Sequence, residues 1–161
     1  MYEEELTALA EAGVRFLVIG GVALGLSGYL RATWDLDIMP DLGPENLERL
    51  ITALEKLGYR PKAPVDPREL KDPKKRAVWL TEKNMKVFSF YNTKNPVDTV
   101  DIMIYHPIDF ERCHERAEKV MIGDRKVRVA SIEDLLSMKR ISGREKDKED
   151  IRILEELLES L

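Results

Sequence analysis

The sequence contains very little cysteine and histidine, with one cysteine and two histidines among 161 residues. A single cysteine, Cys113, excludes an internal disulfide and is compatible with a reducing compartment. So few of these residues also exclude the Cys/His clusters that hold structural zinc. His114 follows Cys113 directly, but adjacent helix residues do not face each other, so we interpret the pair as surface or half-buried helix residues.

Long apolar runs are missing as well. No stretch approaches the roughly 20 apolar residues that a membrane-spanning helix requires, and the acidic N-terminus with its short first apolar run is unlike a signal peptide. We therefore expect a cytoplasmic protein without membrane contact. The net charge of -4 argues against a broad basic coat for nucleic acids but allows a local basic groove. Repeats and low-complexity linkers are also absent, and this length predicts one domain.

The sequence does contain a short apolar run, Phe16 to Ile19, that ends abruptly at Gly20 and Gly21. The run is typical of a buried strand, and the small residues that follow predict a short helix. Two glycines at such a junction let the backbone approach a ligand closely, and free N–H groups there suit a phosphate. The junction therefore predicts a phosphate-binding loop.

Two aspartates, Asp35 and Asp37, open the next apolar run. In a strand they point to the same face and lie about 6–7 Å apart at the backbone. Two carboxylates side by side repel each other unless a cation lies between them, and Mg²⁺ prefers such oxygen ligands together with substrate phosphates. A phosphate loop followed by paired carboxylates is what metal-assisted phosphoryl or nucleotidyl transfer requires.

The glycine pair followed by Arg-x-Thr-x-Asp-Leu-Asp-Ile resembles the signature of the polymerase-beta-type nucleotidyltransferase superfamily. More narrowly, it is similar to the AbiEii-type toxin nucleotidyltransferases. The resemblance implies an α/β (α+β) nucleotidyltransferase fold, in which helices flank a mixed, twisted sheet and a C-terminal helical pair closes the cleft. By the same resemblance, residues 1–161 form a single domain, in which residues 1–129 are the α/β core and residues 130–161 are the C-terminal helical pair.

The resemblance also implies a third carboxylate on a later strand. Asp101 lies inside the apolar run VDTVDIMIY, where a lone acid is costly unless it is paired or bound to metal. We favour Asp101 over Asp98, which lies near the start of that strand, where a turn residue is ordinary. Asp35, Asp37 and Asp101 are thus the predicted catalytic residues and the predicted ligands of two Mg²⁺ ions.

Substrate contacts are predicted on both sides of these carboxylates. Gly20 and Gly21 would bind the β- and γ-phosphates of a nucleoside triphosphate (NTP). Arg31 would reach phosphate or pair with a nearby acid, and Thr33 would bind phosphate or, more in keeping with its type, the turn. By resemblance, Lys139 on the penultimate helix would hold the triphosphate; a plain surface lysine is the alternative.

Residues 59–76, rich in proline and charge, are predicted to form a mobile excursion with one helical turn at Pro67–Lys71. It is interpreted as a surface loop or as a substrate lid. Residues 76–82 fit a helix end or a strand equally well. The pattern of residues 107–119 predicts a helix, and residues 86–105 predict a hairpin.

The predicted activity is transfer of a nucleoside monophosphate from an NTP to an acceptor hydroxyl on tRNA, a protein or a small molecule. A toxin role with an antitoxin partner follows from the narrower resemblance, and the apolar last helix leaves a homodimer open. Two alternatives stay open: a non-catalytic nucleotide- or protein-binding module on the same fold, and a Mg²⁺-dependent phosphohydrolase that uses the same carboxylates.

Overall fold

The computed structural model describes residues 1–29, 33 and 35–161. One seven-stranded mixed sheet runs through it in the order β3-β4-β5-β2-β1-β7-β6. The strands are β1 Phe16–Ile19, β2 Asp35–Pro40, β3 Tyr59–Pro61, β4 Val87–Asn92, β5 Thr99–Met103, β6 Glu118–Ile122 and β7 Arg125–Val129. The helices are α1 Glu3–Glu11, α2 Gly20–Leu26, α3 Pro44–Lys56, α4 Pro73–Glu82, α5 Phe110–Glu115, α6 Ile132–Ser142 and α7 Lys148–Glu159, with 3₁₀ turns at Pro67–Lys71 and Glu145–Asp147.

The centre of the sheet is built on the first apolar run. All four residues of β1 are buried, and β1 pairs antiparallel with β2 and parallel with β7. Strand β2 in turn pairs parallel with β5, which forms an antiparallel hairpin with β4. Because side chains alternate along a strand, β2 and β5 bury one set of residues and leave the other set toward the opposite face. The buried set consists of Leu36, Ile38, Val100 and Ile102.

The C-terminal helices follow their local signals. Ser131 caps α6, since its hydroxyl accepts a hydrogen bond from the Asp134 N–H at 3.1 Å. Gly143 ends α6 in the left-handed conformation, at φ 59°. Helix α7 then packs against α6 and buries Leu154. The helical pair predicted from the sequence is confirmed.

The predicted mobile excursion at residues 59–76 is wrong, because most of it is ordered secondary structure packed on α3. Residues 59–61 form β3, and the predicted helical turn is present at Pro67–Lys71. The Arg68 guanidinium contacts Glu48 and Glu55 of α3, each at 2.9 Å, while Leu70 is fully buried. The undecided residues 76–82 belong to α4, which Asp72 caps.

Two smaller expectations also need correction. The helix predicted for residues 107–119 is only six residues long, because β6 begins at Glu118. Within it, Cys113 is fully buried rather than exposed or half-buried, and burial together with the neighbouring Asp134 raises the pKa of its thiol to about 11. The thiol is therefore a poor nucleophile at neutral pH. No helix in the described ranges is both long enough and apolar enough to cross a membrane.

Candidate active site

The two glycines lie where β1 turns into α2, and both are constrained by close neighbours. Gly20 has φ +69°, and a Cβ at that position would collide with the Asp37 carboxylate. A Cβ on Gly21 would lie 2.7 Å from the Thr33 hydroxyl oxygen. Contacts this short leave no room for a Cβ unless the Asp37 or Thr33 side chain shifts, and the left-handed φ of Gly20 further favours glycine there. The backbone of the predicted phosphate loop thus lies directly beside the predicted metal ligands.

The register of the central strands brings the carboxylates together. Asp37 on β2 lies opposite Asp101 on β5 and opposite Ile19 on β1. Paired residues of neighbouring strands point to the same face, so Asp37 and Asp101 share the face away from the buried set. Asp35, two residues earlier on β2, has the same orientation and accepts a hydrogen bond from the Thr99 hydroxyl.

Burial and mutual repulsion shift the titration of these carboxyl groups. Burial raises the pKa of Asp37 to about 7, and the charges of Asp101 and Asp35 contribute to the rise. Burial also raises the pKa of Asp101, and the charge of Asp35 adds to this, while a hydrogen bond from the Ser89 hydroxyl opposes it. Carboxylates held this close in a partly dry site are unfavourable without a compensating positive charge.

A divalent cation would supply that charge, and the donor set suits Mg²⁺. The three aspartates offer only hard oxygen ligands from two adjacent strands, and the cleft beside them leaves room for phosphate oxygens and water. In the part of the chain that the structure describes, no group of three or more His, Cys, Asp or Glu side chains is placed so that it could hold a metal ion by itself. Phosphate oxygens and water would have to complete the shell of an ion held by the three aspartates.

A second cluster of acids lies across the cleft, at the junction of α6 and α7. Lys139 donates to Asp147 at 3.1 Å and lies 3.2 Å from Asp150, and both carboxylates are at least 95% buried. Ser142 and Arg144 also donate to Asp147, at 2.6 and 2.8 Å. Burial raises the pKa of Asp147, but these donors outweigh burial and lower it to about 2. Lys139 therefore lines the cleft with its charge already shared between two acids.

The remaining predicted residues are distributed as follows. Thr33 donates to the Asp35 carbonyl oxygen at 3.3 Å, the contact of a turn residue. Asp98 precedes β5 and accepts a hydrogen bond from the Asn95 side chain at 3.3 Å, whereas Asp101 lies within the strand opposite Asp37. Arg31 lies outside the described residues.

Ser89 is a site residue that sequence reasoning missed. Its hydroxyl donates to a carboxylate oxygen of Asp101 at 2.6 Å, from the position on β4 directly opposite. The alternation of β4, with Phe88 and Phe90 buried, already indicates which face Ser89 occupies, but only the register of the hairpin reveals its partner. The cleft, of about 470 Å³, also has an apolar wall that the sequence did not predict, formed by Val87, Met103, Tyr105, Met138 and Ile141.

Comparison with known proteins gives the family and the fold. Residues 2–160 match the family described as "Nucleotidyltransferase of unknown function (DUF6036)". A crystal structure of ANT(2″)-Ia in complex with adenylyl-2″-tobramycin is similar, with a TM-score of 0.63 and 19% identity over 96% of this chain and 86% of that chain. A solution structure of the antibiotic-resistance factor ANT(2″)-Ia has a TM-score of 0.59 and 17% identity, and covers 96% of this chain and 80% of that chain.

None of the curated protein sequences matches this chain significantly. The family match nevertheless spans nearly the whole chain, and the sheet with its flanking helices has the fold of known nucleotidyltransferases. The chain therefore belongs to this nucleotidyltransferase family, and its fold is consistent with the polymerase-beta-type resemblance of the glycine pair and the two aspartates of β2.

Proposed function

We propose that this enzyme transfers a nucleoside monophosphate from an NTP to an acceptor hydroxyl and releases pyrophosphate, in a Mg²⁺-dependent reaction. The observation that carries the proposal is the register of β1, β2 and β5. It brings Asp37 beside the Gly20 backbone on one side and opposite Asp101 on the other. A phosphate-binding backbone and the metal-binding carboxylates must be this close if the metal is to contact the triphosphate.

Asp35, Asp37 and Asp101 would hold two Mg²⁺ ions. When bound, such ions stabilise the negative charge of the attacking and leaving oxygens. The raised pKa values of Asp37 and Asp101 support this assignment, because the charge of a cation relieves the repulsion that raises them. Ser89 would fix the orientation of the Asp101 carboxylate through its short hydrogen bond.

The chain would orient the two reactants on either side of Asp37. The backbone N–H groups of Gly20 and Gly21 would bind the terminal phosphates, with Lys139 adding positive charge from α6. The acceptor oxygen would form a bond to the α-phosphorus as the bond from that phosphorus to pyrophosphate breaks. The proton of the acceptor hydroxyl would pass to a carboxylate oxygen of Asp101.

Arg31 and Thr33 complete the predicted substrate contacts. Arg31 lies outside the described residues, and its proposed phosphate contact rests on the family motif. Thr33 would act through the turn before β2, because its hydroxyl is bonded to the Asp35 carbonyl. The apolar wall of the cleft, which includes Met138 and Ile141 of α6, would pack against the base of the nucleotide.

The test is calorimetric titration with ATP, chosen because the molecule bound to ANT(2″)-Ia carries an adenylyl group. We expect ATP binding to require Mg²⁺ and to be lost in Asp35→Asn/Asp37→Asn. Asp98→Asn, which removes one acid outside the strand, is the matched control and should bind as the wild type does. Absence of binding to ATP, GTP, CTP and UTP with Mg²⁺ would overturn the proposal.

A second readout separates transfer from hydrolysis. With an NTP labelled at the α-phosphate, a transferase leaves the label on the acceptor, whereas a phosphohydrolase that uses the same carboxylates releases free labelled nucleotide without any acceptor. A toxin role, an antitoxin partner and a homodimer stay predictions from the resemblance and the last helix. Growth arrest on expression, abolished in Asp35→Asn/Asp37→Asn, would support the toxin role.

A further inference from the structure

One row of paired residues crosses the sheet through the site. Ile19 next to Gly20 lies opposite Asp37, Asp37 opposite Asp101, and Asp101 opposite Ser89. The backbone N–H of Lys62 donates to the Ser89 carbonyl at 2.9 Å, which extends the row by one residue beyond the end of β3. Neighbouring strands are about 4.8 Å apart, so Lys62 starts about 10 Å from Asp101 on the side away from the glycine pair.

This order divides the site into a nucleotide side and an acceptor side. The glycine pair lies at the β1 end of the row, and Asp101 is the carboxylate farthest from it. A hydroxyl that attacks the α-phosphorus in line with the leaving pyrophosphate must approach from the side opposite the terminal phosphates. The acceptor therefore lies over β5 and β4, beyond Asp101.

The acceptor side carries two exposed lysines, Lys62 and Lys86. Lys86, immediately before β4, lines the cleft, and both Lys86 and Lys62 are exposed. Neither side chain forms an ion pair or hydrogen bond with any residue in the described ranges. Two exposed ammonium groups on this side favour a negatively charged molecule.

Carboxylates that could bind a cationic acceptor are already committed. Among the described residues that line the cleft, the acids are Asp35, Asp37, Asp101 and Asp147. The first three are the proposed metal ligands. Asp147 is almost completely buried and is bonded to Lys139, Ser142 and Arg144. The cleft thus offers no spare acid to the ammonium groups of an aminoglycoside such as tobramycin.

We propose that the acceptor carries phosphate next to its reacting hydroxyl and that Lys62 and Lys86 bind this phosphate at the β3–β4 side of the cleft. The inference rests on the proposed function and specifies its acceptor class. A free nucleotide and the 3′ end of a nucleic acid strand share this chemistry, whereas a polycationic aminoglycoside lacks it.

The experiment measures binding of three probes to the full chain saturated with Mg²⁺ and a non-hydrolysable ATP analogue. The probes are 5′-UMP, a short single-stranded RNA with a free 3′-hydroxyl, and tobramycin. We expect at least one phosphate probe to bind, and tobramycin to bind at least tenfold more weakly than that probe. UMP binding comparable to that of the RNA indicates a free nucleotide, and much tighter RNA binding indicates a strand end.

Charge reversal tests the two lysines directly. Lys62→Glu/Lys86→Glu should weaken the phosphate probe at least tenfold and leave the dissociation constant of the ATP analogue within about twofold. Lys83→Glu/Lys94→Glu is the matched control, because both lysines are exposed and belong to the same part of the chain, but neither extends the row of paired residues as Lys62 does or lines the cleft as Lys86 does. The control should bind all probes as the wild type does.

Five outcomes would overturn the inference. Tighter binding of tobramycin than of both phosphate probes would show the opposite charge preference, and equal losses in the two double variants would show a non-specific charge effect. A selective loss of the ATP analogue would assign the lysines to the triphosphate. Binding of the analogue without either phosphate probe would overturn the acceptor class alone, whereas failure to bind the analogue at all would overturn the proposed function as well.

Discussion

Two pairs of aspartates, one on the central strands and one at the α6–α7 junction, differ in their surroundings. Asp37 and Asp101 lie on adjacent strands with few positive partners, and the pKa of each is raised. Asp147 and Asp150 lie at the α6–α7 junction with Lys139, and the pKa of Asp147 is lowered to about 2. The negative charges of the first pair repel each other unless a cation binds between them, whereas the second pair is already neutralised in part by Lys139.

This difference separates a site that is built to bind from one that is built to hold the fold. Acids of the first kind lower stability in the absence of ligand and are typical of functional sites. Acids of the second kind stabilise the folded chain and orient the lysine that they hold. Lys139 belongs to both regions, because it is bonded to the second pair and its charge lowers the pKa of Asp37.

The largest expected effect comes from Asp37→Asn. Transfer activity should fall by about 10³-fold or more, about 4 kcal/mol of transition-state stabilisation, because a proposed metal ligand is lost. The same variant should gain about 1–3 kcal/mol in the free energy of unfolding without Mg²⁺ at pH 8, because it removes a buried, repelled charge. Labelled transfer assays and urea unfolding measure the two quantities.

The matched variant in the other region is Asp147→Asn, which should lose about 2–3 kcal/mol of unfolding free energy, since Lys139 and Arg144 lose a buried ionic partner. A loss of stability in both variants would contradict the distinction between the two pairs.

The pH dependence of stability should differ between the regions. Asp37 has a pKa of about 7 in the folded chain against an ordinary value of 3.8, so the folded state holds the proton more tightly. Its contribution to stability is therefore fully present below about pH 4 and is lost as the pH rises through about 7, with a total change of about 2–4 kcal/mol. Asp147 has the opposite sign: its contribution is present above about pH 4 and is lost as the pH falls toward 2.

Urea unfolding of the metal-free wild type and of Asp37→Asn between pH 4 and 8 checks this prediction. The difference between the two curves should grow with pH in favour of the variant, and Mg²⁺ should reduce it by stabilising the wild type. Parallel curves across this range would show that Asp37 titrates normally.

Gly20→Ala should disturb the first region through its backbone. The substitution forces alanine into a left-handed conformation, and its methyl group collides with the Asp37 carboxylate. We therefore expect the free energy of unfolding to fall by about 2–3 kcal/mol and ATP binding to be lost. Gly13→Ala is the control, because Gly13 has a similar φ of +73° but nothing within 4 Å of a Cβ. It should lose only about 1 kcal/mol and bind ATP normally. Equal losses of unfolding free energy in the two variants would show that the destabilisation comes from the left-handed backbone alone and not from the contact with Asp37.

The smallest expected effects come from two serines that make equivalent contacts in the two regions. Ser89→Ala removes the hydroxyl that positions Asp101 and should lower kcat threefold to tenfold, about 1 kcal/mol, with little change in stability. Ser142→Ala removes the corresponding donor to Asp147 and should lower the free energy of unfolding by about 1 kcal/mol with little change in kcat. Similar profiles for the two variants would remove the distinction.

Much of the fold could be predicted from local sequence signals. The strand before Gly20, the short helix after it, the strand that opens at Asp35 and the C-terminal helical pair all have the predicted type within a few residues. The largest error falls at residues 59–76, where proline and charge suggested a mobile excursion. The segment around Arg68 is ordered by Glu48 and Glu55, more than ten residues away in sequence, and no local pattern identifies such partners.

The sequence by itself determined the chemistry available at the site, because residue types and spacing place two glycines after one strand and two aspartates on one face of the next. Only the tertiary structure decided which groups meet. Strand register sets Asp101 opposite Asp37, Ser89 opposite Asp101 and Lys62 beside Ser89, while helix packing joins Lys139 to Asp147 and Asp150. Register and packing are long-range properties, since they depend on which surfaces the whole chain buries, and short stretches of sequence do not contain them.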